Sequence, residues 1–404
     1  MRFKKSVCIF LIGILLLLPA CDADSLQNAQ ILQRIEAFFH AVAVDFSVRS
    51  HSSSDSQIRE PQYVDWQVCR IRYALLSPKE QLAYRCIYNG LFGMPERISV
   101  PLLDEDEFDR VFDALHVDNP QIMFLGNNAD LLTVGAAAYF IPSYSLGYWE
   151  AREQLEACKD AARRLLEGLP EDASEFDKLL YAHDALCSQT VYGDLGNGAE
   201  CSGALLQKTA TCSGYSKALK LMLDLLGMES CTATGIVQDA QTGTVSHMWL
   251  AVKTDGAWSY CDPTWDDPVS EQGMQTVEHT YFGLTQKQLM RTHSDIEVPD
   301  GIVCDTQHAN YFLNKGLLCD ANNYEQVLRN AVTRALQERQ DAAEILFADE
   351  QSFDKACQHL FDDGYVYRIL AAAGKYAPQL VTNRIMYAAD VQRLYIRLNF
   401  LFEE

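Results

Sequence analysis

The alternation of apolar and polar positions divides the chain into helical and strand segments. Ser77-Pro-Lys-Glu80, ahead of Leu82, Tyr84 and Ile87, predicts a capped helix with Pro at its first position. Residues 106–115 and 149–166 carry further helical patterns, and 121–125 and 136–141 read as strands between them. A helix over 175–187 follows. After Cys212 the apolar positions fall on a helical line, with Ala218, Met222 and Leu225 together, Leu219 and Leu226 beside them, and Gly227 where a C′ residue belongs. Residues 231–237 predict a strand, joined by a turn at 239–243 to a second strand over 245–252. Asp255-Gly256 is a hairpin turn and 257–262 the return strand. Beyond Val303, helices are expected at 324–339, 352–361 and 365–373. Strands are expected at 343–348, 383–387 and 393–400, the last two joined at Ala389-Asp390. The mixture predicts an α+β protein.

This pattern places Cys212 at the N-terminus of a buried helix. Unpaired N–H groups and the positive end of the helix dipole favour a thiolate there. A nucleophilic cysteine also needs an imidazole to take its proton and a carboxylate to hold the imidazole. The downstream hairpin carries both. A two-residue turn pairs Thr254 with Ala257 and therefore Trp249 with Asp262. His247 and Asp262 then project from one face as diagonal neighbours, with Cβ atoms ~7–8 Å apart. A helix carrying Cys212, laid over that face, completes a Cys-His-Asp set. An oxyanion donor is needed beside the Cys212 N–H; Tyr192 is a candidate, with a packed strand tyrosine of no catalytic role as the alternative reading. Trp249 is either a core aromatic or a wall of the acyl cleft. Cys201-Ser-Gly203 repeats Cys212-Ser-Gly214, but too short a helical pattern follows it, so Cys201 is assigned a structural or disulfide role. His183 reads as a packing histidine.

Five blocks also carry a family resemblance: Gly203-Ala-Leu-Leu206, Cys212-Ser-Gly-Tyr-Ser-Lys-Ala218, Ser246-His247-Met-Trp249, Asp255-Gly256-Ala-Trp258 and Asp262-Pro-Thr-Trp265-Asp-Asp267. In this order they resemble the bacterial transglutaminase-like superfamily, and Lys178-Leu-Leu-Tyr-Ala-His183-Asp184 resembles the helix preceding its cysteine. The resemblance implies a papain-like core with Cys212 as nucleophile, His247 as base and Asp262 as orienting acid. Leu250 stands where such relatives usually have Asn, and Ser213 where they have Glu or Gln.

Composition narrows the partners. The formal charge of -22 argues against nucleic acid or an anionic membrane surface. Arg2, Lys4 and Lys5 precede an apolar segment over 7–18 and then Pro19-Ala20-Cys21, which reads as an export signal. Leu18-Pro-Ala-Cys21 resembles a lipobox with Cys21 as the acylated residue; ordinary cleavage near Ala20 or Ala23 is the alternative. Membrane attachment is then expected only through a lipid anchor. Of the 13 cysteines, ten remain once Cys8, Cys21 and Cys212 are set aside, which permits disulfides without requiring them. No Cys-x-x-Cys pair occurs, so a structural zinc ribbon is not expected.

The expected organisation is a signal over 1–21, a segment and tether over 22–62, and a mainly helical N-terminal domain over 63–169. A transglutaminase-like catalytic core over 170–294 and a small α+β domain over 295–404 complete it. The expected function is exported, cofactor-free, cysteine-dependent acyl transfer on a peptide, protein or cell-wall peptide, with hydrolysis preferred to cross-linking. A catalytically silent module that binds peptide or cell-wall polymer in the same cleft is the alternative.

Overall fold

The computed structural model describes residues 69–239, 243–267 and 277–403. The expectations for the signal, for Cys21 and for the tether lie outside these residues.

The chain opens with α1 (Ile71–Leu75) and α2 (Pro78–Leu91). At the start of α2 Ser77 accepts from the Glu80 N–H while the Glu80 carboxylate accepts from the Ser77 N–H, a reciprocal cap worth about 1 kcal/mol. Then come β1 (Ile98–Val100), α3 (Glu105–Asp118), β2 (Leu125–Val134), β3 (Ala137–Tyr144) and α4 (Tyr148–Leu166). The acidic run at 104–109 starts α3, with Asp104 and Glu107 forming a second reciprocal cap. The strand expected over 121–125 is a turn, and β2 begins only at Leu125. Ile122, Met123 and Phe124 are buried there, and the Gln121 amide reaches the Tyr88 hydroxyl at 3.2 Å. A short apolar run is compatible with either outcome, and the residues around Pro120 bend it inward.

Next are α5 (Glu175–Cys187), β4 (Val191–Tyr192), β5 (Thr209–Ala210) and α6 (Cys212–Leu225). These are followed by β6 (Ser230–Asp239), β7 (Gly243–Thr254), β8 (Ala257–Cys261), β9 (Phe282–Leu284), the short α7 (Gln286–Leu289) and β10 (His293–Glu297). Strands β6 to β10 form one five-stranded antiparallel sheet in the order β10-β6-β7-β8-β9. Its edge strand β10 straddles residue 294, so the expected boundary there cuts a strand and is corrected.

The remainder is α8 (Tyr311–Asn314), β11 (Leu318–Cys319), α9 (Tyr324–Gln337), β12 (Ala342–Phe347), α10 (Glu350–Cys357), α11 (Tyr365–Ala373), β13 (Met386–Asp390) and β14 (Tyr395–Asn399). Its sheet has the order β11-β12-β14-β13, with its own buried cluster. The β13–β14 turn lies after Asp390, not at Ala389-Asp390. The Asp390 carboxylate accepts from the Arg393 N–H at 2.9 Å, and Leu394 takes a left-handed φ of 57°.

Helix α6 is the hub. Its buried residues share one apolar cluster with α2, α3, α4, α5 and with Leu250, Val252 and Cys261 of the sheet. The N-terminal helices are therefore packed into the core that carries Cys212. Inside this cluster Lys220 is fully buried, with Nζ 3.1 and 3.2 Å from the Asp224 carboxylate oxygens and 3.0 Å from the Cys69 carbonyl. A buried ammonium is tolerated because every direction it donates in is answered.

Candidate active site

The hairpin sets the first half of the site. Asp255 and Gly256 have φ of 48° and 83°, the left-handed pair that a two-residue turn demands. Thr254 pairs with Ala257 and Leu250 with Cys261, so one further step sets Trp249 opposite Asp262. His247, Trp249 and Asp262 thus share a face, and His247 Nε2 lies 2.6 Å from Asp262 Oδ2.

The cysteine arrives differently from expectation. Helix α6 covers the other face of the sheet, where Leu250 and Val252 point, whereas Trp249 and Ala251 belong to the cluster on the His247 side. Only the tip of α6 reaches the imidazole. Strand β8 ends at Cys261, opposite Leu250, so β7 has a free edge from Met248 backwards. The tip of α6 occupies that edge. Ser216 Oγ donates to the Met248 carbonyl at 3.0 Å, Cys212 and His247 line one cleft, and the His247 ring and the Met248 backbone both act to lower the Cys212 thiol. Asp262 holds Nε2, which leaves Nδ1 as the ring nitrogen free to serve the sulfur.

Close approach at the tip depends on Gly214. A Cβ there would sit 2.1 Å from the Gly198 carbonyl oxygen and 3.0 Å from that of Glu200. Thr211, the N-cap residue, makes no side-chain cap bond, so its side chain does not occupy the N–H groups of the first turn. That leaves a positive backbone end beside the Cys212 sulfur.

Electrostatics follow the geometry. Burial works to raise the Cys212 thiol, but the His247 hydrogen bond and charge outweigh it and hold it below the usual thiol value. Burial pulls His247 down, yet the Asp262 carboxylate lifts it from 6.5 to about 10. Asp262 is buried, which alone would raise it, but the two imidazoles keep it well below the ordinary carboxylate range. Its Oδ1 accepts from the N–H groups of Thr264 at 3.0 Å and Trp265 at 3.3 Å. The arrangement is a thiol poised to ionise, an imidazole poised to hold its proton, and a fixed acid behind. A cleft of about 310 Å³ opens on Cys212, Ser213, Ser246 and His247, with Asp295 and Glu297 on its wall. A larger groove of about 900 Å³ beside α9 has no cysteine on its walls, so chemistry and not size picks the site.

Cys201 is a different kind of thiol. It is fully buried, bonds the Pro120 carbonyl at 3.1 Å, and is pushed well above the usual value by its contact with Cys158 and by burial. Cys201 and Cys212 are both free, as is every other cysteine among the described residues. Two sequence candidates are not brought to the cleft. Tyr192 sits half-exposed on β4, opposite Ala210, and does not line the cavity. Trp249 is fully buried beneath His247, ring centroids 5.9 Å apart, so it supports the base and forms no cleft wall.

Sequence reading missed two features. His293 at the start of β10 also reaches Asp262, with Nε2 3.2 Å from Oδ2. His183 is buried as expected of a packing residue, but within a polar cluster: Nδ1 is 2.9 Å from Asp184 Oδ1, and Nε2 is 3.3 Å from Asp266 Oδ2. Asp184 Oδ1 also accepts from His279 Nε2 at 2.8 Å. Asp184 follows His183 directly in the sequence, but Asp266 and His279, and Asp262 for His293, are brought in only by the fold. His183, Asp184 and His279, like His247, Asp262 and His293, are residue types that ligate metals. The separations of 2.6–3.2 Å from each central carboxylate to its two imidazoles are those of hydrogen bonds between the groups themselves.

Residues 159–263, which hold this site, match the family model of the Transglutaminase-like superfamily. The matched segment contains Cys212, His247 and Asp262 and stops before β9 and β10. Two solved structures are similar in part. One, described as a TGase, is 14% identical, with 42% of this chain covering 50% of that one at a TM-score of 0.25. The other, a candidate cysteine protease from Cytophaga hutchinsonii, is 9% identical, with 37% of this chain covering 65% of that one at a TM-score of 0.24. The chain therefore spans half the length of the first and just under two thirds of the second. No curated protein matches it.

Proposed function

We propose that this protein is a cysteine-dependent acyl-transfer enzyme acting on peptide or amide bonds, with water as the usual second nucleophile. The observation that carries the reading is the Cys212–His247–Asp262 relay opening on a cleft, with the thiol held below and the imidazole above their usual values.

In this reading the Cys212 thiolate attacks the amide carbonyl carbon, and the oxyanion is received by N–H groups at the start of α6. His247 Nδ1–H passes its proton to the amide nitrogen as the C–N bond breaks, leaving an acyl-thioester and a free amine. Water then attacks the thioester carbonyl, His247 Nδ1 takes the water's proton, and the sulfur leaves as thiolate. A lysine amine in place of water gives a cross-link by the same steps. Trp249 acts from beneath His247 and Tyr192 has no part.

Export and attachment through Cys21 are proposed on the sequence of residues 2–21 alone. A peptide, protein or cell-wall peptide is the proposed partner, consistent with a cleft wall that carries carboxylates.

The test is digestion of a peptide library in the presence of a fluorescent primary amine, comparing wild type with Cys212→Ala. Cleavage that disappears in Cys212→Ala supports hydrolysis, and amine incorporation that disappears supports transfer to amines. Neither reaction in the wild type, together with retention of peptide or cell-wall fragments by both proteins, favours the binding module.

A further inference from the structure

Asp262 serves two imidazoles. Oδ2 lies 2.6 Å from His247 Nε2 and 3.2 Å from His293 Nε2, while Oδ1 is taken by two backbone N–H groups. His293 comes from β10, which joins the sheet beside β6, and its side chain is fully buried. The ring is wedged between Trp249 and Trp265, centroids 4.8 Å from each, with Tyr281 and His247 at 5.6 Å. Its Nδ1 lies 2.8 Å from Thr292 Oγ1. A hydroxyl can donate, so Thr292 can hold Nδ1 as the unprotonated nitrogen and leave Nε2–H for Asp262.

We infer that His293 is a positioning residue for the proposed acyl transfer, acting through Asp262: its Nε2–H pins the carboxylate and draws off charge that would otherwise be directed at His247. The inference rests on the function proposed above. With four donors on two oxygens Asp262 is held in one orientation, which fixes the His247 ring with Nδ1 toward sulfur. The second effect is on proton transfer. His247 must surrender its proton to the leaving amine, and an imidazolium gripped by an undivided carboxylate is a poor acid. A second N–H on the same oxygen loosens that grip. The titratable groups facing this arrangement are Cys212 from α6, His247 from β7, Asp262 after β8 and Tyr281 ahead of β9. Asp295 and Glu297 lie further along β10 at the cleft, and Asp266 and Arg393 act on Tyr281 from behind.

Two variants separate pinning from packing. His293→Phe keeps a ring in the aromatic slot and removes the N–H; His293→Gln keeps an N–H near the Nε2 position. The readout is alkylation of Cys212 by iodoacetate against pH at fixed ionic strength. The imidazolium aids the anionic reagent, so the alkaline limb reports loss of the His247 proton. His293→Phe should move that limb upward by about half a unit to one unit, the effect of removing one competing hydrogen bond. His293→Gln should restore it.

A limb that stays with the wild type in folded His293→Phe overturns the inference. Wild-type protein labelled with 15N-histidine gives a reading that needs no variant: Nε2 of His293 must carry a proton, and a bare Nε2 overturns it equally. The two proposals fail separately. If wild-type Cys212 alkylates no faster than the other thiols, the function falls; if it does, and the limb does not move, only the role of His293 falls.

Discussion

Replacing Asp262 by Asn exchanges one oxygen for an NH2 and removes one charge, and the structure says where each atom must go. Oδ1 is committed as an acceptor to the N–H groups of Thr264 and Trp265, so the NH2 of the Asp262→Asn variant takes the place of Oδ2, 2.6 Å from His247 Nε2. Two donors cannot share that contact. His247 is driven to the tautomer with Nδ1 protonated and Nε2 bare, and Nδ1 can no longer take the Cys212 proton.

The carboxylate's hold is large. It outweighs burial and, with a smaller contribution from the Cys212 sulfur, carries His247 from 6.5 to about 10, roughly 5 kcal/mol in favour of the imidazolium. Without the pair, an ordinary thiol with a pKa of ~8.5 is about 3% thiolate at pH 7, so at most about thirtyfold in thiolate is lost. The more basic sulfur is intrinsically more nucleophilic, with a Brønsted slope of ~0.4–0.5, which returns part of the loss. The expected fall in iodoacetamide labelling of Cys212 at pH 7 is on the order of tenfold. Mass spectrometry of the Cys212 peptide over time measures it, with circular dichroism at the same pH reporting the fold. Folded Asp262→Asn protein that labels as fast as wild type would refute the argument.

Three further outcomes follow from the same contacts. Because His247 is raised from 6.5 to about 10, the folded chain keeps a proton that the unfolded chain releases, so its contribution is complete below pH ~6.5 and is lost as pH rises through about 10. In a Cys212→Ala background, which removes the thiol's own titration and its smaller share of the rise but keeps Asp262, His247 stays raised and the gap in Tm between His247 and His247→Gln proteins should narrow from pH 7 to pH 10; a constant gap contradicts the assignment. Asp224→Ala strands the buried Lys220 ammonium and should cost about 3–5 kcal/mol by urea unfolding, with much of the loss recovered in Lys220→Met/Asp224→Leu. Gly214→Ala drives a methyl against the Gly198 carbonyl at the tip of α6 and should lower stability by about 1–3 kcal/mol while slowing Cys212 labelling; unchanged values of both would contradict the close approach.

The relay's strand half was legible because a two-residue Asp-Gly turn leaves one register, and register decides which residues share a face. Cys212 was legible as a helix start because the apolar line after it has a helical period. The face that helix covers was not. Leu250 and Val252 on one side of β7 and Trp249 and Ala251 on the other are all apolar, so a strand buried on both faces shows no preferred side. That ambiguity also hid the burial of Trp249. Tyr192 looked usable because its short strand precedes the cysteine, but its partner is Ala210 and its ring faces outward. His293 carries no local signal: it lies 31 residues beyond Asp262, and only the pairing of β10 with β6 brings it back.

The account stands on sulfur chemistry at one position, so the most direct measurement is to catch the acyl group there. Wild-type protein turned over on a cleaved library peptide and quenched in acid should carry a mass increment on the Cys212 peptide that hydroxylamine removes. The increment should be absent from His247→Ala. Peptide cleavage that proceeds with no adduct on Cys212, or that persists undiminished in Cys212→Ala, would contradict the claim.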